Sequence, residues 1–291
     1  MAVLSTHNFN STKQAIYFFF FFWGFAIKIP MFPFHLWLPM AHVEAPTEGS
    51  ILLAGLLLKL GSYGFIKILV SWFPVGCIYF LPLVTAMAVT SIIIASCNAI
   101  VQADFKRLIA YTSISHMNFV VLGIFSHSIF GLVGSAVLMY AHGLVSSGLF
   151  AVVGMLYERY FSRQMEYYSG LIVGMPMLGS FFFLILLGNF GFPLTFNFIG
   201  ELLILIGLAH FNFYILFLSA IGLFLSVVYS VLLYNKLMFG NLKPFIRQIK
   251  DITLMEFHCL FSISFYIIFF GIWPMSVLEC IYLGLSQCIV R

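Results

Sequence analysis

Long apolar stretches follow one another along almost the whole chain, with short polar segments between them. A helix needs about 20 mostly apolar residues to cross the hydrocarbon core of a bilayer. Eight stretches meet that length, near residues 14–30, 50–70, 75–100, 107–126, 130–157, 171–209, 213–239 and 256–279. Because a backbone in lipid must satisfy its own hydrogen bonds, the sequence predicts an all-α integral membrane protein with a single membrane domain over residues 1–291.

The composition supports this prediction and excludes several other classes of protein. Hydrophobic residues make up 63% of the chain and charged residues 8%, against roughly a quarter charged in soluble domains. The net charge of +4 is not gathered into a basic stripe suited to nucleic acid. The cysteines show no spacing typical of a metal site or a disulfide framework; they are Cys77, Cys97, Cys259, Cys280 and Cys288.

Two of the predicted spans contain helix-breaking residues. Pro30 and Pro33 follow Lys28, which predicts a break near Lys28 to Pro33. The sixth stretch is too long for one straight helix, and Pro193 lies among glycines, which predicts a break from Gly188 to Asn197. Backbone groups freed at membrane depth are tolerated where they are buried in protein or line a wet cavity. We therefore expect both breaks to mark the working region.

Isolated titratable residues lie within the apolar stretches. A charge at the bilayer centre costs ~2.5 to 3.5 kcal/mol on insertion scales, so such residues are typical of proton or ion pathways. Lys59, in the middle of its stretch, is the strongest candidate, and the others are Lys28, His116, His142 and Glu201. Structural alternatives remain: Lys28 could snorkel to the headgroups, Glu201 could be a charge at a helix N-terminus, and His116 could be a core histidine.

Four further polar residues have simpler interpretations. His35 and His42 flank the turn after the first break, where a structural role is sufficient. Lys106 and Arg107 follow Asp104 at a predicted helix start, which favours solvated charges at the membrane interface.

The basic residues predict the orientation. If the sixth span is one broken helix, one side of the membrane carries Lys106, Arg107, Arg159, Arg163, Lys236, Lys243, Arg247 and Lys250, and the other carries Lys13, Lys67 and Arg291. Counting two spans there would remove the bias. Basic loops favour the inner side, so both termini are expected on the opposite side.

Several motifs, in order, resemble the antiporter-like subunits of respiratory complex I. The resemblance runs from about residue 20 to 280 and rests on residues 28–39, 41–50, 56–64, 104–117, 141–143, 197–201 and 234–240. The Ala41-His-Val-Glu-Ala-Pro46 segment is similar to the subunit 4 branch rather than to subunits 2 and 5. Members of the family have fourteen helices, and the resemblance covers their last eight. It therefore implies that a separate chain supplies the N-terminal helices.

The resemblance also implies a function and a set of partners. Lys28 becomes the lysine of the broken helix, Lys59 the central lysine, His116 and His142 part of a hydrophilic axis, and Glu201 the terminal proton carrier. Proton translocation would be coupled to NADH oxidation and ubiquinone reduction on other subunits. Those subunits would hold NADH, FMN, iron–sulfur clusters and ubiquinone, with no cofactor or metal in this chain. The neighbours would be other membrane-arm subunits, including subunits 2 and 5, and lipids.

The location implied is the mitochondrial inner membrane, with basic loops in the matrix and both termini in the intermembrane space. The high phenylalanine count, 36 residues, is consistent with an AT-rich organellar gene. Two alternatives stay open from the sequence. One is a subunit of a multisubunit sodium/proton antiporter, and the other is a structural scaffold that does not pump.

Overall fold

The computed structural model describes residues 10–243 and 250–289. Arg247 and Arg291, which entered the charge distribution above, lie outside the described residues. We number the helices in chain order: α1 Ser11–Lys28, α2 Trp37–Glu44, α3 Thr47–Val70, α4 Pro74–Tyr79, α5 Leu81–Val101, α6 Phe105–Ile124, α7 Ile129–Tyr160, α8 Leu171–Gly174, α9 Pro176–Asn189, α10 Phe196–Phe211, α11 Phe213–Met238, α12 Leu254–Ile272 and α13 Met275–Ile289.

The predicted all-α membrane class is confirmed. Within the described ranges there is no strand, only an isolated bridge between Asp104 and Gln164. Five of the described helices, α3, α5, α7, α11 and α12, are long and apolar enough to cross a membrane. Each of the eight predicted stretches is occupied by helix, although length and composition alone do not fix the number of spans.

The bundle is built around α6 and α7. Every residue of α6 except Arg107 is buried, and α7 packs against α3, α6, α9, α10, α12 and α13. In α7, 78% of the 18-residue apolar segment is buried inside the protein, whereas in α12, at the periphery, the share is 17%. Side chains of α6 and α7 therefore face protein on nearly all sides, which suits polar groups that lipid would not tolerate.

The first predicted break is present between α1 and α2. Proline at position 30 disfavours helical geometry at Ile29 and lacks a backbone donor, and α1 ends at Lys28. Neighbouring helices bind the freed backbone: Asn118 donates to the Pro30 carbonyl at 3.3 Å, and Ser91 Oγ accepts from Phe32 N at 2.7 Å. The break is thus buried against α5 and α6, as expected for irregular backbone at membrane depth.

The second predicted break separates α9 from α10. Backbone hydrogen bonds from Phe190, Gly191 and Phe192 to Leu186, Gly188 and Leu187 end α9 in tight turns. Gly191 has a φ of +63°, a left-handed conformation that glycine adopts without steric cost. This turn places the start of α10 against α7.

One prediction is wrong at the end of the bundle that carries Lys106 and Arg163, which we call the basic end. Lys106 is buried, with 4% exposure, rather than solvated at an interface. Its ammonium donates to the Ala45 carbonyl at 2.5 Å, and Arg163 donates to the Val43 carbonyl. Both cations therefore lie at the C-terminal end of α2, where the helix dipole and the unpaired carbonyls favour positive charge. Arg107 does pair loosely with Asp104, at 3.9 Å.

Candidate functional site

Lys59 lies on a helix with irregular hydrogen bonding. Two π-helical segments, Leu53–Leu57 and Phe65–Val70, lie before and after the α-helical residues around Lys59. The ammonium of Lys59 donates to the carbonyl of Ala54, in the first of these segments. It also lies 3.0 Å from Nδ1 of His142 on α7. Short π segments inside helices are frequent at functional sites, and here one of them provides a hydrogen-bond acceptor to the half-buried ammonium of Lys59.

The polar contacts continue from His142 toward α10. The rings of His142 and His116 have centroids 5.6 Å apart and are inclined at 47°. Nδ1 of His116 lies 3.5 Å from Oε1 of Glu201, and the Asn189 backbone at the end of α9 also interacts with His116. His116, His142 and Glu201 are 2%, 1% and 5% exposed. We call Lys59, His142, His116 and Glu201 the titratable line.

Glycines bring the helices of this line close together. A Cβ at position 143 would lie 3.3 Å from the Gly55 carbonyl and 3.8 Å from Nζ of Lys59. A Cβ at position 191 would lie 2.1 Å from Oε2 of Glu201. Gly143 in α7 therefore allows Lys59 to approach His142. Gly191, in the second break, leaves the volume that the Glu201 carboxylate occupies.

Buried polar atoms without protein partners surround the Glu201 end of the line. His116 Nε2 and both amide atoms of Asn197 have no hydrogen-bond partner among the described residues. The Tyr229 hydroxyl is likewise unpartnered, and it interacts electrostatically with Glu201. Unpaired polar groups inside a membrane protein are costly unless they meet water or a mobile proton. Tyr229 was not predicted from the sequence, where it is one of many aromatic residues in an apolar stretch.

His42 is a further candidate that the sequence interpretation placed in a structural role. Its ring is fully buried and stacks on Phe150, with centroids 4.6 Å apart. Neither of its nitrogens has a hydrogen-bond partner among the described residues. It interacts electrostatically with Lys59 on one side and with Lys106 on the other. Because α2 folds back into the bundle after the break, His42 lies between the titratable line and the basic end.

Lys28 is not part of the line. Its side chain is exposed, and it makes no hydrogen bond or ion pair with any residue of the described ranges. The next residue, Ile29, packs directly against Gly61 of α3. A Cβ added at position 61 would lie only 2.6 Å from Cγ1 of Ile29. Gly61 is two residues from Lys59, so the end of α1 packs against α3 close to Lys59.

The line is suited to moving protons. Each member can gain or lose one proton, and imidazole can accept on one nitrogen while releasing from the other. Within the described ranges, no group of three or more His, Cys, Asp or Glu residues is placed to hold a metal ion. The arrangement defines a helical membrane protein with a titratable interior.

The sequence profile of one family matches residues 1–228 of this chain, and its description is NADH:quinone oxidoreductase/Mrp antiporter, transmembrane. The chain belongs to that family. It is 43% identical over 290 residues to NADH-ubiquinone oxidoreductase chain 4 of Marchantia polymorpha, covering 99% of this chain and 59% of the relative. It is 42% identical to NADH-quinone oxidoreductase subunit M of Rickettsia bellii, covering 98% of this chain and 58% of that relative.

Solved structures show the same fold. A chain of respiratory complex I from Thermus thermophilus matches with a TM-score of 0.90 and 27% identity, covering 98% of this chain and 61% of that one. A chain of the Mrp complex from Dietzia matches with a TM-score of 0.83 over 92% of this chain and 58% of that one. At 17% identity, the second match shows the fold alone. This chain therefore spans about three fifths of the length of the relatives it matches.

Proposed function

We propose that this chain is a proton-translocating membrane-arm subunit of NADH:ubiquinone oxidoreductase, the respiratory complex I. The observation that carries the proposal is the titratable line, four ionisable side chains from four helices meeting in an apolar bundle. Intramembrane chains of this composition are typical of proton relays. The relatives are named for the coupled reaction, oxidation of NADH and reduction of ubiquinone, which we place on other subunits.

Neighbouring charges couple the steps of transfer. When Lys59 is protonated, its ammonium donates to the unprotonated Nδ1 of His142 at 3.0 Å. Two adjacent positive charges are disfavoured in a poorly polarisable interior. A proton that moves to His142 therefore leaves Lys59 neutral, and it must move onward before Lys59 accepts another. The two groups titrate as a pair rather than independently.

The second half of the line completes the relay. His142 would release a proton toward His116, whose ring centroid is 5.6 Å away, and a bridging water would carry it across that gap. His116 accepts on Nε2, which has no partner among the described residues, and releases from Nδ1 to the Glu201 carboxylate at 3.5 Å. Asn197 and the Tyr229 hydroxyl then provide donors and acceptors for water beyond Glu201.

Protons would enter the line through His42. It is the buried titratable side chain that interacts electrostatically both with Lys59 and with Lys106 at the basic end. Both of its nitrogens are available, so it can pass a proton through its ring. We propose that the basic end faces the matrix of mitochondria, which places the entry on that side of the inner membrane and the opposite termini in the intermembrane space.

Lys28 indicates a partner outside these residues. An exposed lysine within the membrane is not stable against lipid, so we propose that an acidic side chain on another polypeptide pairs with it. That polypeptide would carry the N-terminal helices of the subunit, and it would pack on α1 and α3. The other proposed neighbours are the antiporter-like subunits 2 and 5, and NADH, FMN, iron–sulfur clusters and ubiquinone belong to other chains.

A structure of the purified assembly tests the proposed partner of Lys28. We expect a second polypeptide with an Asp or Glu within about 4 Å of Nζ of Lys28. The proposal fails if lipid fills that face. It also fails if the acidic side chain comes from a longer form of this same chain.

Substitution of Lys59 tests the proposed function itself. Lys59→Met removes the proton site and keeps an unbranched side chain, so the assembly should form while NADH-driven proton pumping falls by at least tenfold. Lys67→Met, near the end of the same helix, is the matched control and should pump normally. Wild-type pumping by Lys59→Met would favour the scaffold alternative, and pumping that depends on sodium rather than NADH would favour the antiporter alternative.

A further inference from the structure

A polar cavity lies at the basic end of the bundle, away from the titratable line. Its volume is 360 Å³, and it lies where α5 and α11 end. Its polar lining residues are Gln102, Glu166, Tyr168, Ser169, Lys236 and Lys243. The proposed proton route uses none of these residues, so the cavity needs an explanation of its own.

Hydrogen bonds hold the two loops that form the cavity wall. Gly170 N donates to the Phe239 carbonyl at 3.1 Å, and Ser169 Oγ donates to the Asn241 carbonyl. Lys243 donates to the backbone carbonyl of Glu166. Gly170 has a φ of +68°, and a Cβ there would lie 2.6 Å from the Gly240 carbonyl, so only glycine lets the loops approach this closely. The cavity is therefore a formed feature of this end of the bundle.

The lysines of the cavity have donors to spare. Lys236 makes no hydrogen bond or ion pair with any residue of the described ranges. Lys243 makes one hydrogen bond within residues 10–243 and 250–289, and an ammonium can donate three. Glu166 provides a carboxylate, so the lining is net positive by one charge. Charged donors that point into a shared cavity are suited to phosphate oxygens.

The surroundings of the cavity indicate which phosphate it would meet. Val101, which lines the cavity, is 82% exposed, and Phe239 and Leu242 beside it are 52% and 40% exposed. Apolar side chains exposed at the end of a membrane helix face acyl chains near the headgroup level. Basic pockets between helix ends on the inner side of a membrane are suited to anionic lipid headgroups. We propose that this cavity binds the phosphate of an anionic phospholipid through Lys236 and Lys243.

Lipid titration of the intact assembly tests this proposal. The assembly is delipidated in mild detergent and titrated with dioleoyl phosphatidylglycerol, dioleoyl phosphatidylcholine or inorganic phosphate, and native mass spectrometry counts the lipids bound to this chain. One lysine near a membrane surface contributes about fivefold to the affinity for anionic lipid. Lys236→Gln should weaken phosphatidylglycerol binding about fivefold and the Lys236→Gln/Lys243→Gln variant about 25-fold. Lys236→Arg should retain binding, and Lys13→Gln at the opposite end is the matched control.

Glu166 gives a prediction of opposite sign. Glu166→Gln removes the repulsive carboxylate and should tighten phosphatidylglycerol binding about fivefold. Weaker binding by Glu166→Gln would overturn the proposal, because the carboxylate would then hold a headgroup ammonium. Equal affinity of Lys236→Gln and the wild type would also overturn it, as would absence of bound lipid in the wild type. Competition by inorganic phosphate at the same concentration as the lipid would show a free-anion site instead.

Discussion

Gly191 offers a test of how strictly the Glu201 carboxylate is positioned. The residue has a φ of +63°, so an alanine there costs about 1–2 kcal/mol of folding free energy from backbone strain. The added Cβ would lie 2.1 Å from Oε2 and 2.9 Å from Cδ of Glu201, whereas carbon contacts below 3.0 Å essentially do not occur. The carboxylate must therefore retreat by about 1 Å. This displacement moves the carboxylate whose other oxygen, Oε1, lies 3.5 Å from Nδ1 of His116.

Displacements of this size matter when groups react by close approach, since 1 Å can cost about 100-fold. We expect Gly191→Ala to assemble with reduced thermal stability and to lower proton pumping at least tenfold. The assay is NADH-driven acidification of membrane vesicles, followed with a pH-sensitive dye, alongside the melting temperature of the assembly. Gly24→Ala is the matched control, because a Cβ at position 24 meets no atom within 4 Å.

A second substitution separates local displacement from general damage. Glu201→Asp shortens the side chain and leaves room for the new methyl group, so it should restore part of the pumping when combined with Gly191→Ala. This non-additivity is the signature of two residues in direct contact. Normal pumping by Gly191→Ala would refute the proposed role of Glu201. Equal losses in the single and double variants would refute the displacement argument.

Two other substitutions test the ends of the route. Glu201→Gln keeps the shape and hydrogen bonding of the side chain but removes the proton site, so it should pump less than Glu201→Asp; the reverse order would support a helix N-terminal role instead. His42→Phe keeps the ring stacked on Phe150 and removes the proton carrier, so pumping should fall severalfold in the vesicle assay while assembly is retained. His258→Phe, on the exposed face of α12, is its control, and equal pumping by both variants would exclude entry through His42.

The helices and their breaks were predictable from local physics. Apolar length fixes where a chain can span a bilayer, and prolines and glycines at positions 30 and 188–193 interrupt hydrogen bonding wherever the rest of the chain lies. The isolation of Lys59, His116, His142 and Glu201 in apolar sequence marked them as candidates. Their meeting in one line was not predictable from spacing, because it depends on the packing of α3, α6, α7 and α10.

The environment of two residues was not predictable for a related reason. The sequence placed His42 beside a turn in a structural role and Lys106 among solvated charges at an interface, since each lies next to a predicted helix end. In the fold, α2 returns into the bundle, which buries the His42 ring and brings the Ala45 carbonyl to Lys106. The π-helical segments around Lys59 have no signal in apolar composition, because leucine, alanine and isoleucine suit either kind of helix. Tertiary contacts decided these positions.

The position of α6 suggests how the two broken helices are connected. Asn118 on α6 donates to the Pro30 carbonyl in the first break, and it also bonds to Ile114 within its own helix. Two residues earlier, His116 contacts Glu201 and the Asn189 backbone beside the second break. Because α6 is buried along nearly its whole length, it has little freedom to move by itself. A change of charge at Glu201 would therefore act on a rigid helix that also holds the backbone next to Lys28. Coupling between the two breaks then requires only these direct contacts, without a separate moving element.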